Sequence, residues 1–266
     1  MKKQIPNILT CCNLICGCIA TWAGFMSSIL PGSEGNPLYG ARFAFYFIIL
    51  GAVFDFFDGF VARLLKVSGP LGVQLDSLAD VITFGLAPAA VIFSLFTKVY
   101  YPEAMSGPMW HKLMPFTAFI LPAFAAMRLA KFNIDERQHD GFIGLPTPAC
   151  AIFWAALISS CPHYLTSPHF NATFLFAFVL VFCLLMVSKI PMFKMKFTSL
   201  SFSEGENKWK FMFLIIAVVA LAFGAVSGIG TGHIIRNTTR ALVAVIGFYI
   251  LLSIVKMYHD FYKGTE

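Results

Sequence analysis

The sequence predicts an all-α integral membrane protein, and three observations support this: composition, the length of the apolar runs and the placement of charges. Of the 266 residues, 58% are hydrophobic and 12% are charged, and the mean hydropathy is +0.78. Soluble domains carry about 25% charged residues, so this chain has too few charges to solvate a globular surface. Its apolar runs reach about 20 residues, the length that spans a bilayer as a helix.

Eight apolar segments predict about eight transmembrane helices within a single domain, 1–266. In chain order the segments are 6–30, 40–66, 70–98, 113–133, 143–161, 171–191, 209–227 and 239–260. Backbone polar groups in lipid need internal partners, so such segments fold as helices. No segment alternates polar and apolar residues as barrel strands do. The first segment is too long for the apolar region of a signal peptide and carries Asn7, Thr10 and Asn13 at helical spacing, so we expect a retained helix.

The distribution of lysine and arginine predicts the orientation. If both termini lie on one side, that side receives fourteen of the 19 basic residues. The other side receives Arg42, Lys98, Lys112, Arg236 and Arg240. Basic loops stay in the cytoplasm, so we expect a multi-pass protein of the cell membrane with both termini in the cytoplasm. The net charge of +6 is then a topology signal that suits anionic lipid headgroups, and no nucleic-acid partner is expected.

Aspartates are concentrated in two neighbouring predicted helices. Four of the seven in the chain are Asp55, Asp58, Asp76 and Asp80. A carboxylate at membrane depth is costly unless it is paired or binds metal, which makes a functional role the default interpretation. Residues three or four apart share one face of a helix. The short link between the two helices makes them antiparallel neighbours, so we expect the four carboxylates to converge at the cytoplasmic membrane surface.

Four carboxylates so close together need a cation, and hard oxygen ligands suit Mg²⁺ or Mn²⁺. Gly59, Ala62 and Gly72 would leave a hollow beside them, and Arg63 offers a planar donor group to phosphate. These features suggest phosphoryl-type transfer, with a carboxylate accepting the proton of an attacking hydroxyl. The alternative is a cation-coupled transporter, in which the acids form an ion path and the small residues serve helix packing.

The segment DFFDGFVARLLKVSGPLGVQLDSLAD resembles the signature of the CDP-alcohol phosphatidyltransferase family, D-x2-D-G-x2-A-R-x8-G-x3-D-x3-D. All eight fixed positions match, at Asp55, Asp58, Gly59, Ala62, Arg63, Gly72, Asp76 and Asp80. The resemblance implies the helical bundle of that family, a CDP-linked lipid substrate, a divalent metal and a homodimer. It also implies a catalytic core at about 5–190, with extra C-terminal helices at about 209–260.

The resemblance also implies a role for each motif residue. Asp55, Asp58 and Asp76 would bind the metal, and Asp80 would be the general base and a further metal contact. The CDP-lipid would contact Gly59, Ala62, Arg63, Gly72, Asn7 and Thr10.

Three further segments, DSLADVITFGLAPA, RLAKFN and GLPTPA, resemble the serine-specific branch of the family. This implies transfer of a phosphatidyl group from CDP-diacylglycerol to L-serine, giving phosphatidylserine and CMP. Glycerol 3-phosphate and inositol phosphate remain alternative acceptors. The carboxylate of serine needs a cation, for which we expect Arg128 first, with Asn133 beside it. The alternative is that Arg128 and Lys131 snorkel to the interface and only mark topology.

Overall fold

The computed structural model describes residues 4–26, 38–67, 69–101, 107–134, 142–165, 167, 170–192 and 205–263. These residues form an all-α membrane protein with one short β pair. The helices are α1 Ile5–Phe25, α2 Tyr39–Leu65, α3 Pro70–Asp80, α4 Ala87–Leu95, α5 Met109–Leu113, α6 Ile120–Ile134, α7 Thr147–Ser160, α8 Pro162–Leu165, α9 Ala172–Val187, α10 Gly205–Thr231 and α11 Ile234–Lys263. π-helical turns at Val81–Leu86 and Phe96–Tyr100 flank α4, and a 3₁₀ segment at Met114–Phe119 precedes α6.

A helix occupies each of the eight predicted segments, but the structure confirms the length and apolarity of a membrane span for six of them and not for all eight. Six helical stretches of the described chain are long and apolar enough to cross a membrane. They are Ile5–Phe25, Tyr39–Leu65, Pro70–Tyr100, Met109–Ile134, Trp209–Ile229 and Ile234–His259. The remaining two, α7 and α9, have only 14 and 16 residues, short of the roughly 17–25 that span a bilayer.

A β pair explains why α7 and α9 are short. Strand β1, Phe142–Ile143, pairs antiparallel with β2, Pro191–Met192. The apolar segments predict that one helix begins at 143 and another ends at 191. Instead α7 begins at Thr147 and α9 ends at Val187, so these two predicted boundaries are wrong. Gly144 turns the chain between β1 and α7 with φ at +76°, where a side chain would collide with the Met186 carbonyl. Gly144, Pro146 and Pro148 are residues that typically mark a turn or the start of a helix, a signal that hydrophobicity alone does not include.

The core lies around α1, α2, α4 and α7, and α1 packs against α2, α3 and α4. Its largest fully buried side chains include Trp154, Phe84 and Ile48. The hairpin of α10 and α11 joins this core through α11, which packs on α7. Because α1 packs against α2 and α3, it lies beside both helices that carry the aspartates.

Candidate active site

Helices α2 and α3 carry the motif and are separated by only four residues, 66–69. Helix α2 ends where Lys66 adopts a left-handed conformation, with φ at +54°. Val67 then donates its backbone N–H to the Ala62 carbonyl at 3.0 Å, and α3 starts with Pro70 in its first turn. Proline suits this position because its ring fixes φ and the missing N–H would have no partner there.

Three of the four aspartates form a compact carboxylate group. One oxygen each from Asp55, Asp76 and Asp80 lies within 4.8 Å of the other two. Asp80 is buried at 7% exposure, and the other two are partly buried. Three carboxylates in so small a volume repel each other strongly unless protons or a cation intervene.

Asp58 lies outside this compact group and is held by α1. Its Oδ2 accepts a hydrogen bond of 2.6 Å from the Thr10 hydroxyl, and only 5% of the residue is exposed. Thr10 also contacts the Pro6 carbonyl at 3.0 Å. Three of the four carboxylates therefore lie together as expected, and Asp58 does not belong to that group. Direct metal ligation by Asp58 stays a prediction.

Asn13 is a part of the site to which sequence reasoning gave no role. It is fully buried, and its Nδ2 donates to Asp80 Oδ1 at 3.1 Å. Its backbone carbonyl accepts a 3.0 Å hydrogen bond from Thr83 in the π-helical turn that follows Asp80. The available signal was the repeat of polar residues at 7, 10 and 13 in an otherwise apolar helix.

Two glycines allow α1 to approach this closely. A Cβ on Gly17 would overlap the side chain and backbone of Thr83. A Cβ on Gly51 of α2 would lie 2.9 Å from Asn13 Oδ1 and 2.6 Å from Thr83 Cγ2. Larger residues at either position would therefore push α1 away from Asp80.

A cleft of about 130 Å³ opens beside the carboxylates. Its lining includes Asn7, Thr10, Asp58, Gly59, Ala62, Gly72 and Asp76. The Arg63 guanidinium folds toward Gly59 and lies 3.5 Å from where a Cβ of that glycine would be. Six motif residues and both polar α1 residues expected to contact the CDP-lipid thus lie on or next to one concave surface.

The expected serine-binding residues lie on α6, on the other flank of α3. Arg128 is 7% exposed and donates from Nη1 to the Thr147 hydroxyl at 3.2 Å. It is also within electrostatic range of Asp80. Asn133 is exposed and donates to Ser77 Oγ at 2.7 Å. Burial of Arg128 argues against a snorkelling role, whereas the neighbouring Lys131 is exposed.

The donor set fits a hard divalent cation. Asp76 Oδ1 and Asn13 Oδ1 are buried without a hydrogen-bond partner among the described residues. Carboxylate and amide oxygens are the ligands that Mg²⁺ and Mn²⁺ prefer. Asp55, Asp76 and Asp80 could hold such an ion.

Fold and site together define a polytopic membrane protein with a carboxylate cluster beside a cleft at one end of its helices. The sequence profile of the CDP-alcohol phosphatidyltransferase family matches residues 3–187. The chain belongs to this family. The matched region contains the whole cluster and ends with α9, so α10 and α11 lie beyond it.

Several relatives share one name, CDP-diacylglycerol–serine O-phosphatidyltransferase. The protein of Helicobacter pylori strain J99 is 29% identical over 258 residues, 94% of this chain and 90% of its own length. That of Bacillus subtilis is 33% identical over 146 residues, 55% of this chain and 70% of its own. That of Methanocaldococcus jannaschii is 34% identical over 122 residues, 46% of this chain and 53% of its own.

Proposed function

We propose that this protein transfers the phosphatidyl group of CDP-diacylglycerol to L-serine, releasing CMP. The observation that carries the proposal is the convergence of Asp55, Asp76 and Asp80 beside the cleft. The similarity to proteins named for this reaction, over 94% of the chain in one case, supports serine as the acceptor.

The proposed reaction is a direct displacement at phosphorus. The serine hydroxyl oxygen forms a bond to the phosphatidyl phosphorus, the bond from that phosphorus to the CMP oxygen breaks, and CMP leaves. Asp80 accepts the hydroxyl proton as general base. Its hydrogen bond from Asn13 holds one carboxylate oxygen in place, which leaves the other for the proton.

The CDP portion would occupy the cleft. Gly59, Ala62 and Gly72 have small side chains or none, which leaves room for the CDP group. Asn7 and Thr10 would supply polar contacts from α1. Arg63 would pair with phosphate oxygens, for which its planar group is well suited. A divalent ion held by the aspartates, with Asp58 as a further candidate ligand, would neutralise the diphosphate.

The serine carboxylate would pair with Arg128. Arg128 is buried and interacts electrostatically with Asp80, so one serine molecule would place its carboxylate on Arg128 and its hydroxyl toward the base. Asn133, at the outer edge of α6, would line the entrance from the α3 side.

We further propose that both termini and this site face the cytoplasm of the cell membrane, in agreement with the positive-inside rule. The domain would consist of a catalytic core at about 5–190 with the C-terminal hairpin added, and the protein would act as a homodimer.

The test is CMP release from CDP-diacylglycerol by the purified protein in detergent, with Mg²⁺, with Mn²⁺ and with a chelator. Serine, glycerol 3-phosphate, inositol phosphate and no acceptor are compared. We expect release that needs both serine and a divalent ion. Release with another acceptor would contradict the proposed substrate, and release in the presence of chelator would contradict the metal. No release at all would favour a transporter.

A further inference from the structure

A second cavity lies at the end of the bundle opposite the aspartates. Its volume is about 540 Å³, and it is formed by the start of α2, the end of α7 and the start of α11. That volume falls within the roughly 300–1,000 Å³ of ligand-binding clefts. Arg42 in its wall and Asp58 are sixteen residues apart on α2, about 24 Å at 1.5 Å per residue. The cavity is thus separate from the proposed catalytic site.

The polar part of the cavity is basic. Arg42, Arg236 and His233 line it, and none of its described lining residues is an Asp or Glu. A third arginine, Arg240, is fixed at its edge, where Nε donates to the Ser160 carbonyl at 2.9 Å. This concentration of cations is notable because only five basic residues are predicted on this side of the membrane, and three of them are these arginines.

One of these arginines has unused donor capacity. Arg236 Nε is buried and has no hydrogen-bond partner among the described residues. A buried donor without an acceptor is costly, and an anion in the cavity would supply the acceptor. Arginine forms strong paired hydrogen bonds with phosphate oxygens.

The start of α11 adds to the attraction for an anion. This helix has 30 residues and begins at Ile234, after Gly232 turns the chain with φ at +69°. Both residues line the cavity. The first backbone N–H groups of a helix have no acceptor within the helix, and its dipole favours negative charge there.

The rest of the wall includes exposed apolar side chains. Tyr46 of α2 is 46% exposed and Ile235 of α11 is 62% exposed, and both line the cavity. A ligand with a phosphate group and hydrocarbon chains matches this combination, because the chains can lie along the apolar residues while the phosphate meets the arginines. A free phosphate ion would leave the apolar wall in contact with water.

We propose that this cavity binds the phosphate of an anionic phospholipid from the leaflet opposite the catalytic site. Because α10 and α11 lie beyond the region matched by the family profile, the site depends on helices added to the common core. The bound lipid would join α11 to α2 and α7, which connects the added hairpin to the helix that carries Asp55 and Asp58.

Lipid binding by the full chain in detergent tests this proposal without measuring catalysis. Native mass spectrometry would compare phosphatidylglycerol with phosphatidylcholine for the wild type and for R42Q/R236Q. We expect phosphatidylglycerol to bind preferentially, and its affinity to fall about tenfold or more in R42Q/R236Q, since charged hydrogen bonds are lost. R42K/R236K keeps the charge and should stay within a few-fold of the wild type.

Two controls separate this cavity from other lipid contacts. K112Q removes an exposed cation on the same predicted side of the membrane, and K131Q removes an exposed cation on the opposite side. Both should retain the wild-type affinity for phosphatidylglycerol. If R42Q/R236Q does not elute as a folded protein, the single variants R42Q and R236Q replace it, each expected to bind several-fold more weakly.

Equal binding of phosphatidylglycerol by the wild type and R42Q/R236Q would overturn the proposal. A thermal-shift assay with inorganic phosphate distinguishes the two sources of the anion. Arginine-dependent stabilisation by inorganic phosphate, without arginine-dependent binding of the lipid, would contradict a lipid ligand.

Discussion

Two elements, α1 and the π-helical turn, hold Asp80 in position. Asn13 of α1 donates to it, and Thr83 of the π-helical turn in turn fixes the Asn13 backbone. Asn13 does not touch substrate in the proposed reaction, so it is a positioning residue. Asn13 would affect the rate only because it orients the Asp80 carboxylate.

Replacing Asn13 with Ala should lower kcat about tenfold, as expected from losing a hydrogen bond of about 1–1.5 kcal/mol. The KM for CDP-diacylglycerol should change little, because the cleft is unaltered. Steady-state kinetics of CMP release measures both parameters. The matched control is Asn237→Ala, which removes an amide that donates to Ser227 in the C-terminal hairpin. A fall in kcat of equal size in the control would contradict the positioning role.

Replacing Asp80 with Asn should lower turnover by about a hundredfold or more, the range of general-base catalysis. Binding of the CDP-lipid should be retained, since the cleft does not include Asp80. Asp58→Asn should instead weaken CDP-lipid binding and raise the metal concentration needed for half-maximal activity. Equilibrium binding of CDP-diacylglycerol and metal titrations compare the two variants. Near-normal turnover of Asp80→Asn would show that another group is the base.

Replacing Arg128 with Gln should raise the KM for serine about tenfold and leave the KM for CDP-diacylglycerol within a few-fold, because a buried charged contact to the carboxylate is lost. Lys131→Gln on the same helix serves as the control, since that side chain is exposed. An unchanged serine KM in Arg128→Gln would remove Arg128 from the serine site.

At this scale, sequence motifs predicted most of the geometry of the candidate site. Fixed spacing places Asp55, Asp76 and Asp80 on the facing surfaces of two helices, so their convergence follows from helix geometry. The hydrogen bond from Thr10 to Asp58 and the role of Asn13 depend on how α1 lies against both helices. That arrangement is set by tertiary packing, which spacing within one helix does not encode.

At the scale of elements, the contact between α1 and the π-helical turn holds the site together. Gly17→Ala should destabilise the protein by about 1–3 kcal/mol, the cost of overpacking a close contact, because the new Cβ would overlap the Thr83 backbone. Thermal unfolding in detergent measures this. Gly247→Ala is the matched control: its Cβ would meet no atom within 4 Å, and alanine favours the helix. Equal unfolding temperatures for the two variants would contradict the close approach.

Apolar runs located a helix in each of the eight predicted segments, but they did not predict where α7 begins or where α9 ends. The β1–β2 pair lies a few residues before α7 and a few residues after α9, and hydrophobicity alone does not distinguish its short strands from helix. The π-helical turn at Val81–Leu86 was equally unpredictable. One extra residue per turn does not change the hydrophobic pattern of a segment that is apolar throughout. Such turns occur often at functional sites, as this one does beside Asp80.

At the scale of the whole molecule, the charge distribution predicts that the N- and C-termini lie on the cytoplasmic side. A fluorescent protein fused after residue 266 should fluoresce, and alkaline phosphatase fused there should be inactive, because each folds on one side of the membrane only. A fusion of each reporter within the 27–37 link is the control and should give the reverse pattern. Active phosphatase at the C-terminus would contradict the orientation.

Composition and the length of the apolar runs were sufficient to predict a helical membrane protein, since so few charges exclude a soluble surface and runs of about 20 residues span a bilayer as helices. They did not predict that α11 returns to pack on α7, with Ile246 and Ile250 buried in the main core. Apolar helix faces resemble one another, so their pairing depends on shape rather than on hydrophobicity. The basic cavity opposite the aspartates results from that pairing.

The central claim is that the carboxylate cluster transfers a phosphatidyl group to the serine hydroxyl. The most direct test incubates purified protein with CDP-diacylglycerol, a divalent ion and radiolabelled serine, and measures lipid-soluble label and CMP together. We predict one labelled lipid for each CMP released, and neither product when serine is omitted or Asp80 is replaced by Asn. CMP released without label entering the lipid, or label entering the lipid without CMP, would contradict the account.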